Sequence, residues 1–153
     1  MIKKHYLCRN EINRHNMITQ EFNYRLIYGD TDAMGVMYYA NYLRVYEAAR
    51  ADFLDKINLS LTEMVEKKVV SPVINVNVDY ISPAKYDWRV KVVSTVKQVP
   101  AAKLIFHQEM YSSEGVLLNR ATITLGFVSL ETFRPIRCPK WIIDAFETHF
   151  QSH

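Results

Sequence analysis

Two carboxylates, Asp30 and Asp32, stand one residue apart in Tyr28-Gly29-Asp30-Thr31-Asp32, where a run of alternating apolar residues gives way to turn-forming ones. Before the turn, Phe22, Tyr24, Leu26 and Tyr28 alternate with Glu21, Asn23, Arg25 and Ile27, the pattern of a half-buried strand. After it, Tyr42, Tyr46, Ala49, Phe53 and Ile57 recur every three or four residues without an intervening Gly or Pro, which predicts a helix over about 40–57. Leu43 and Leu54 widen its apolar stripe, and Asn41 or a neighbour is placed to cap its start. A loop feeding a helix start sets its carboxylates beside N–H groups that lack an intrahelical partner, at the positive end of the helix dipole. Such donors can hold the oxygen of a polarised carbonyl, while a nearby carboxylate attacks that carbonyl or activates a water. The same residues suit a plain turn or helix cap, and from spacing alone both readings stay open.

Other chemistries find no support. No His, Cys and carboxylate group has metal-ligand spacing, and neither a phosphate-cradling Gly-rich loop nor a serine nucleophile elbow is present. Cys8 and Cys138 lie near opposite ends and form no CxxC pair, so two reduced thiols are expected. The net charge of +3 is carried by the first sixteen residues, through Lys3, Lys4, Arg9 and Arg14 against Glu11. The remainder is neutral by count, which argues against a nucleic-acid-binding face. No apolar run approaches the ~18 residues of a membrane span, and the N-terminus has no secretion-signal core; a cytoplasmic protein is expected.

The elements that must hold the turn fit one domain of 153 residues. Residues 1–19 read as a flexible N-terminal extension, with Met17 an alternative start, and 20–153 as a single domain. Ser60 followed by Glu63 is a capping-box pattern for a short helix over 60–67. Strands then follow, with Ile74, Val76, Val78 and Tyr80 as one alternating set and Trp88, Val90, Val92, Ser94 and Val96 as the next. Leu104, Phe106, Gln108 and Met110 form a third, and Ile123, Leu125 and Phe127 a fourth over 122–129. A helix over about 141–149 ends the chain. Strand, long helix and four strands with short connections predict an α+β fold with one antiparallel sheet, its helices on one face and an edge open to dimerisation.

Within this frame the segment from Asp30 to Arg50 resembles the signature of the 4-hydroxybenzoyl-CoA thioesterase family of hotdog proteins. That signature runs Asp-x-Asp-x-x-Gly-x-Val-x-(His or Tyr)-x-Asn-Tyr and then Glu-x-x-Arg. Here it is met by Asp30, Asp32, Gly35, Val36, Tyr39, Asn41 and Tyr42, then Glu47 and Arg50. In outline the resemblance extends over about 20–137. It implies a hotdog fold, a curved antiparallel sheet wrapped around the long helix, and hydrolysis of an acyl-CoA thioester to free acid and CoA.

Carried over by position, Asp32 matches the catalytic aspartate, as nucleophile or general base, and the Tyr39 N–H matches the donor to the thioester carbonyl. Asp30, Gly35, Val36, Tyr38, Asn41, Ser71 and Lys103 are the implied substrate-binding residues. Asp30 is expected to shape the loop, Gly35 to permit a close backbone approach, Ser71 to lie near substrate and Lys103 to meet CoA phosphate. Tyr42 and Tyr46 read as core, and Glu47 with Arg50 as a helical ion pair. Tyr39 departs from the His of the cell-envelope-associated branch. A phenol with pKa about 10 does not take over histidine acid–base work near neutrality.

The implied reaction requires no metal and no redox cofactor. The implied partners are acyl-CoA and a second copy of the chain, as homodimer or homotetramer, with the site between subunits, Asp32 coming from one and the helix donors from the other. Two alternatives stand beside this. One is release of a polyketide or fatty acyl chain from acyl carrier protein. The other is a non-catalytic acyl-CoA sensor, for which the 19-residue extension is too short to supply a helix-turn-helix.

Overall fold

The computed structural model describes residues 17–151, and the chain enters it directly as a strand. β1 spans Ile18–Arg25, with Ile18 buried and paired to Val96. Ile18 and Thr19, read from sequence as part of the extension, therefore belong to the sheet, while residues 1–16, with Cys8, lie outside the described residues. Two helices follow, α1 (Asn41–Lys56) and α2 (Leu61–Glu66). Ser60 Oγ accepts from Glu63 N at 3.0 Å, one half of the capping box that the sequence pattern predicts, while the Glu63 carboxylate pairs with Lys67. The rest is β2 (Val69–Val70), β3 (Val73–Tyr80), β4 (Arg89–Val96), β5 (Leu104–Ser112), β6 (Leu117–Leu125), β7 (Val128–Ser129) and α3 (Lys140–Gln151). No helix among the described residues is long and apolar enough to cross a membrane.

The main sheet is antiparallel throughout, in the order β1-β4-β5-β6-β3, and β2 pairs with β7 in a small ribbon. β4 and β5 bury one residue in two, so Val90, Val92, Ser94, Val96, Leu104, Phe106, Gln108 and Met110 face inward as their alternation predicts. The stripe of α1 packs on that face. Tyr42, Tyr46, Ala49, Phe53 and Ile57 are all buried, and the Phe53 ring meets Phe106 edge-on at 5.1 Å.

Two expectations shift. The last strand begins at Leu117 rather than Thr122 and breaks at Gly126, so Phe127 is buried beyond its end. β3 and β4, consecutive in sequence, do not pair: β3 crosses to the far edge, beside β6. The crossing segment, 81–88, passes under the Asp30–Tyr39 loop.

Candidate active site

The loop after β1 first makes a 3-10 turn at Tyr28–Asp30 and then doubles back. Thr31 bridges Met37, Asp32 N donates to Val36 O (2.9 Å) and Gly35 N donates to Asp32 O (3.0 Å). Gly35 closes this turn at φ +74°, a left-handed conformation that costs little only for glycine. A Cβ there would meet nothing within 4 Å. Within the chain its role is therefore backbone conformation.

The two carboxylates part company. Asp30 is 1% exposed. Its Oδ2 accepts from Tyr24 Oη (2.8 Å) and Ile27 N (2.9 Å), and its Oδ1 pairs with Arg44. Its backbone oxygen accepts from Tyr38 N (2.9 Å) and Asn41 Nδ2 (3.0 Å). Asp30, placed in the substrate-binding set from sequence, is thus committed to holding the loop against the helix start, the loop-shaping role expected of it. Asn41, also assigned to substrate, spends its side-chain amide on the same task instead of capping α1. The N-cap position is Ala40, which has no side-chain cap.

Asp32 is exposed. Its Oδ1 accepts from Met34 N at 2.8 Å, and among the described residues no cation pairs with it. A carboxylate held by one oxygen leaves the other to a ligand.

The crossing segment supports the loop from below. Met37 N donates to Ala84 O (2.8 Å), Tyr86 N donates to Gly35 O (3.2 Å) and Val36 bridges Lys85. Val36 is half-buried by that bridge. Beside the loop lies a cleft of about 220 Å³ lined by Met37, Tyr39, Tyr42, Tyr80, Ile81 and Pro83. Tyr39 is exposed where it lines the cleft, and its ring lies 4.7 Å, centroid to centroid, from that of the exposed Tyr38. At the helix entry, Asn41 N donates to Tyr38 O (2.9 Å) and Tyr80 Oη donates to Tyr39 O (2.9 Å). The N–H groups of Tyr39 and Ala40 donate to no acceptor among the described residues. An exposed carboxylate and free donors at a helix start thus share one loop of one chain, where the resemblance implied that two subunits supply them, and a tyrosine-lined cleft borders it.

Ser71 and Lys103 are not part of that group in the same chain. The Asp32 loop lies at the sheet end marked by Arg25, Arg89 and Tyr80, whereas Ser71 precedes β3 and Lys103 precedes β5, at the opposite end. Eight strand residues at about 3.3 Å each put ~26 Å between the two ends. Ser71 Oγ donates to Gly126 O (2.8 Å) and Lys103 is an exposed loop residue. The Glu47–Arg50 ion pair does not form either. Arg50 turns inward, is 8% exposed and donates to Gln108 Oε1 (3.1 Å), while burial lowers its pKa.

Sequence reasoning missed Arg44, Tyr80 and the 84–86 segment. A buried acid in a polar loop requires a counter-charge, and Arg44, the first cation after Asp30, could have been found on that ground. Nothing local in sequence marks Tyr80 or residues 84–86, because the crossover that brings them here is a property of sheet order. A broader concavity of about 990 Å³ lies near the end of β1 and includes Arg25, Arg89, Lys91 and Tyr111. Asp87 and Glu21 pair two of its three cations, and it shares no residue with the Asp32 turn.

Residues 28–146 match the model of the thioesterase-like superfamily. The chain is 32% identical to the acyl-CoA thioesterase YbgC of Haemophilus influenzae over 126 residues, covering 82% of this chain and 92% of that one. It is 31% identical to a putative acyl-CoA thioesterase, YneP, of Bacillus subtilis, over 74% of this chain and 82% of that one. Among solved structures, a DHNA-CoA thioesterase from Staphylococcus aureus superposes with TM-score 0.80 at 28% identity, covering 88% and 90% of the two chains. The 4-hydroxybenzoyl CoA thioesterase of a Pseudomonas strain shares the fold, with TM-score 0.74 at 24% identity over 83% and 98%.

Proposed function

Because this chain belongs to the thioesterase-like superfamily and has the hotdog fold, we propose that it hydrolyses acyl-CoA thioesters to free acid and CoA, with Asp32 as the reacting carboxylate. The observation that carries the assignment is the contrast between the two acids of the loop. Asp30 is buried and spent on three internal partners, whereas Asp32 is exposed in the loop that leads to the unpaired helix-start donors.

A thioester carbonyl set against the Tyr39 N–H develops negative charge on its oxygen where the helix dipole favours it. Asp32 then acts in one of two ways. It attacks the carbonyl carbon, expels the CoA thiolate and leaves an anhydride that water opens. Otherwise it takes the proton of a water that attacks instead. Tyr38 and Tyr39 supply aromatic walls for the acyl group.

A second copy of the chain completes the site. β3 is an edge strand with one side unpaired, and its Val73, Ile74, Val76 and Tyr80 are all exposed, the kind of apolar edge that pairs with another strand. Antiparallel pairing of two β3 strands sets the start of one beside the end of the other. It thereby brings Ser71 of the partner subunit towards the tyrosine cleft, which one chain alone does not do.

The test is free-thiol release from a panel of acyl-CoAs and the matching acyl-carrier-protein thioesters, alongside light scattering to count subunits. Turnover of CoA esters by a dimer or larger assembly is expected. Preference for the carrier protein would move the assignment to chain release, and a fully active monomer would remove the shared site. A folded protein inert on the whole panel would defeat the hydrolase reading.

A further inference from the structure

We infer that Tyr80 is a positioning residue that turns the Ala40 N–H into a second donor to the thioester oxygen; this rests on the hydrolase reading above. In a trans peptide the carbonyl and the following N–H point in opposite directions, so anchoring the carbonyl aims the N–H. Two consecutive peptides at the start of α1 are anchored in this way. The Tyr38 carbonyl accepts from Asn41 N, which directs the Tyr39 N–H away from the helix. The Tyr39 carbonyl accepts from Tyr80 Oη at 2.9 Å, which turns the Ala40 N–H away from Tyr80. Both N–H groups are without an acceptor among the described residues.

The second anchor comes from a different element. Tyr80 is the last residue of β3 and pairs with Asn119 in the sheet. Its ring stands edge-on to Tyr42 at 5.5 Å, with an interplanar angle of 89°. Tyr42 is itself buried in α1, and its Oη accepts from Ala84 N at 3.3 Å. The hydroxyl is therefore held from behind by the core and by the crossing segment. Partial burial and the neighbouring Tyr39 raise the pKa of Tyr80, so it remains a donor at neutral pH. Its position on the open edge strand also links donor alignment to whatever pairs with β3.

Tyr80→Phe removes the hydroxyl and keeps the ring. The expected result is a kcat lowered about tenfold to a hundredfold with KM within about twofold, the pattern of an interaction made only in the transition state. A packing defect gives a different signature, so each enzyme is also assayed with the acyl-CoA dithioester, in which sulfur replaces the carbonyl oxygen. Sulfur accepts hydrogen bonds weakly. Wild type should therefore prefer the oxygen substrate strongly, and Tyr80→Phe should narrow that preference. Equal losses on both substrates, or a kcat within twofold of wild type, would overturn the inference.

A second readout needs no turnover. With a non-hydrolysable ketone analogue, CH₂ replacing the thioester sulfur, the Ala40 amide resonance should move downfield in wild type and stay in place in Tyr80→Phe. A wild type that hydrolyses thioesters with an unmoved Ala40 amide defeats this inference alone. One that shifts Ala40 on binding the ketone but cleaves nothing supports the donor and defeats the hydrolase reading.

Discussion

The two ends of α1 are built for opposite purposes. At its start the helix has no side-chain cap, its first N–H groups face outward, and the surrounding loop is held almost wholly by hydrogen bonds. Towards its far end Phe53, Leu54 and Ile57 are buried, and Leu54 lines a small cavity of about 90 Å³ together with Met64 of α2 and Phe146 of α3. Polar groups differ in the same way. At the start they point at a space a ligand can enter. Deeper in, Arg50, Gln108, Ser94 and the Tyr46 carbonyl satisfy one another. Dispersion and burial stabilise one end, and they leave the other free to carry unsatisfied donors.

Substitutions at the two ends should therefore separate stability from activity. Phe53→Ala, in the closed half, is expected to cost ~3–5 kcal/mol in denaturant unfolding. The molecules that remain folded should keep their kcat. A large loss of kcat in the folded fraction would show that the two ends are coupled. Asp30→Ala crosses the divide, since it strands the donors of Tyr24 and Ile27 and frees Arg44. A loss of about 2–3 kcal/mol is expected, with the half-exposed Arg44 contributing least because solvent screens it. Activity should fall with it, because the loop loses its anchor; unchanged activity would mean that the turn holds its shape without Asp30.

Gly35→Ala is a smaller perturbation at the open end. With open space around the new methyl, only the left-handed backbone at φ +74° resists it. About 1–2 kcal/mol is expected, with a larger proportional fall in kcat than in stability. A pH effect belongs to the packed end. Burial pushes the Cys138 thiol up to about 12 from an ordinary value near 9. The native state thus keeps a proton that the unfolded chain releases. The contribution is full below about pH 9 and is lost as pH rises towards 12. Cys138→Ala should flatten the alkaline fall in melting temperature by that share, and an unchanged slope would assign the fall to the buried tyrosines. Least affected should be Lys103→Ala, exposed and remote from Asp32 in its own chain. No change in melting is expected, and a change in KM would appear only if the site is shared between subunits.

Sequence was most informative where a single element decides the outcome. The stripe of α1, the Ser60 cap and the alternation of β4 and β5 depend on neighbours within a few residues, and each is present as read. The place of Asp32 in an open turn before a helix was legible for the same reason. What required sheet order was not legible. The pairing of β3 with β6 sends 81–88 beneath the loop, brings Tyr80 to the Tyr39 carbonyl and leaves Ser71 and Lys103 at the other end. Arg50 misled because a charged residue on a helix reads as solvated. Its partner Gln108 is 58 residues away on β5.

Thioester hydrolysis by Asp32→Asn beside wild type, with circular dichroism to confirm that both are folded, tests the central claim most directly. Asparagine keeps the size of the side chain and an oxygen for the Met34 N–H but can neither attack a carbonyl nor deprotonate water. A kcat lower by about two orders of magnitude or more, at unchanged melting temperature, is the predicted result. Equal rates in the two proteins would contradict it and return Asp32 to the role of a turn residue.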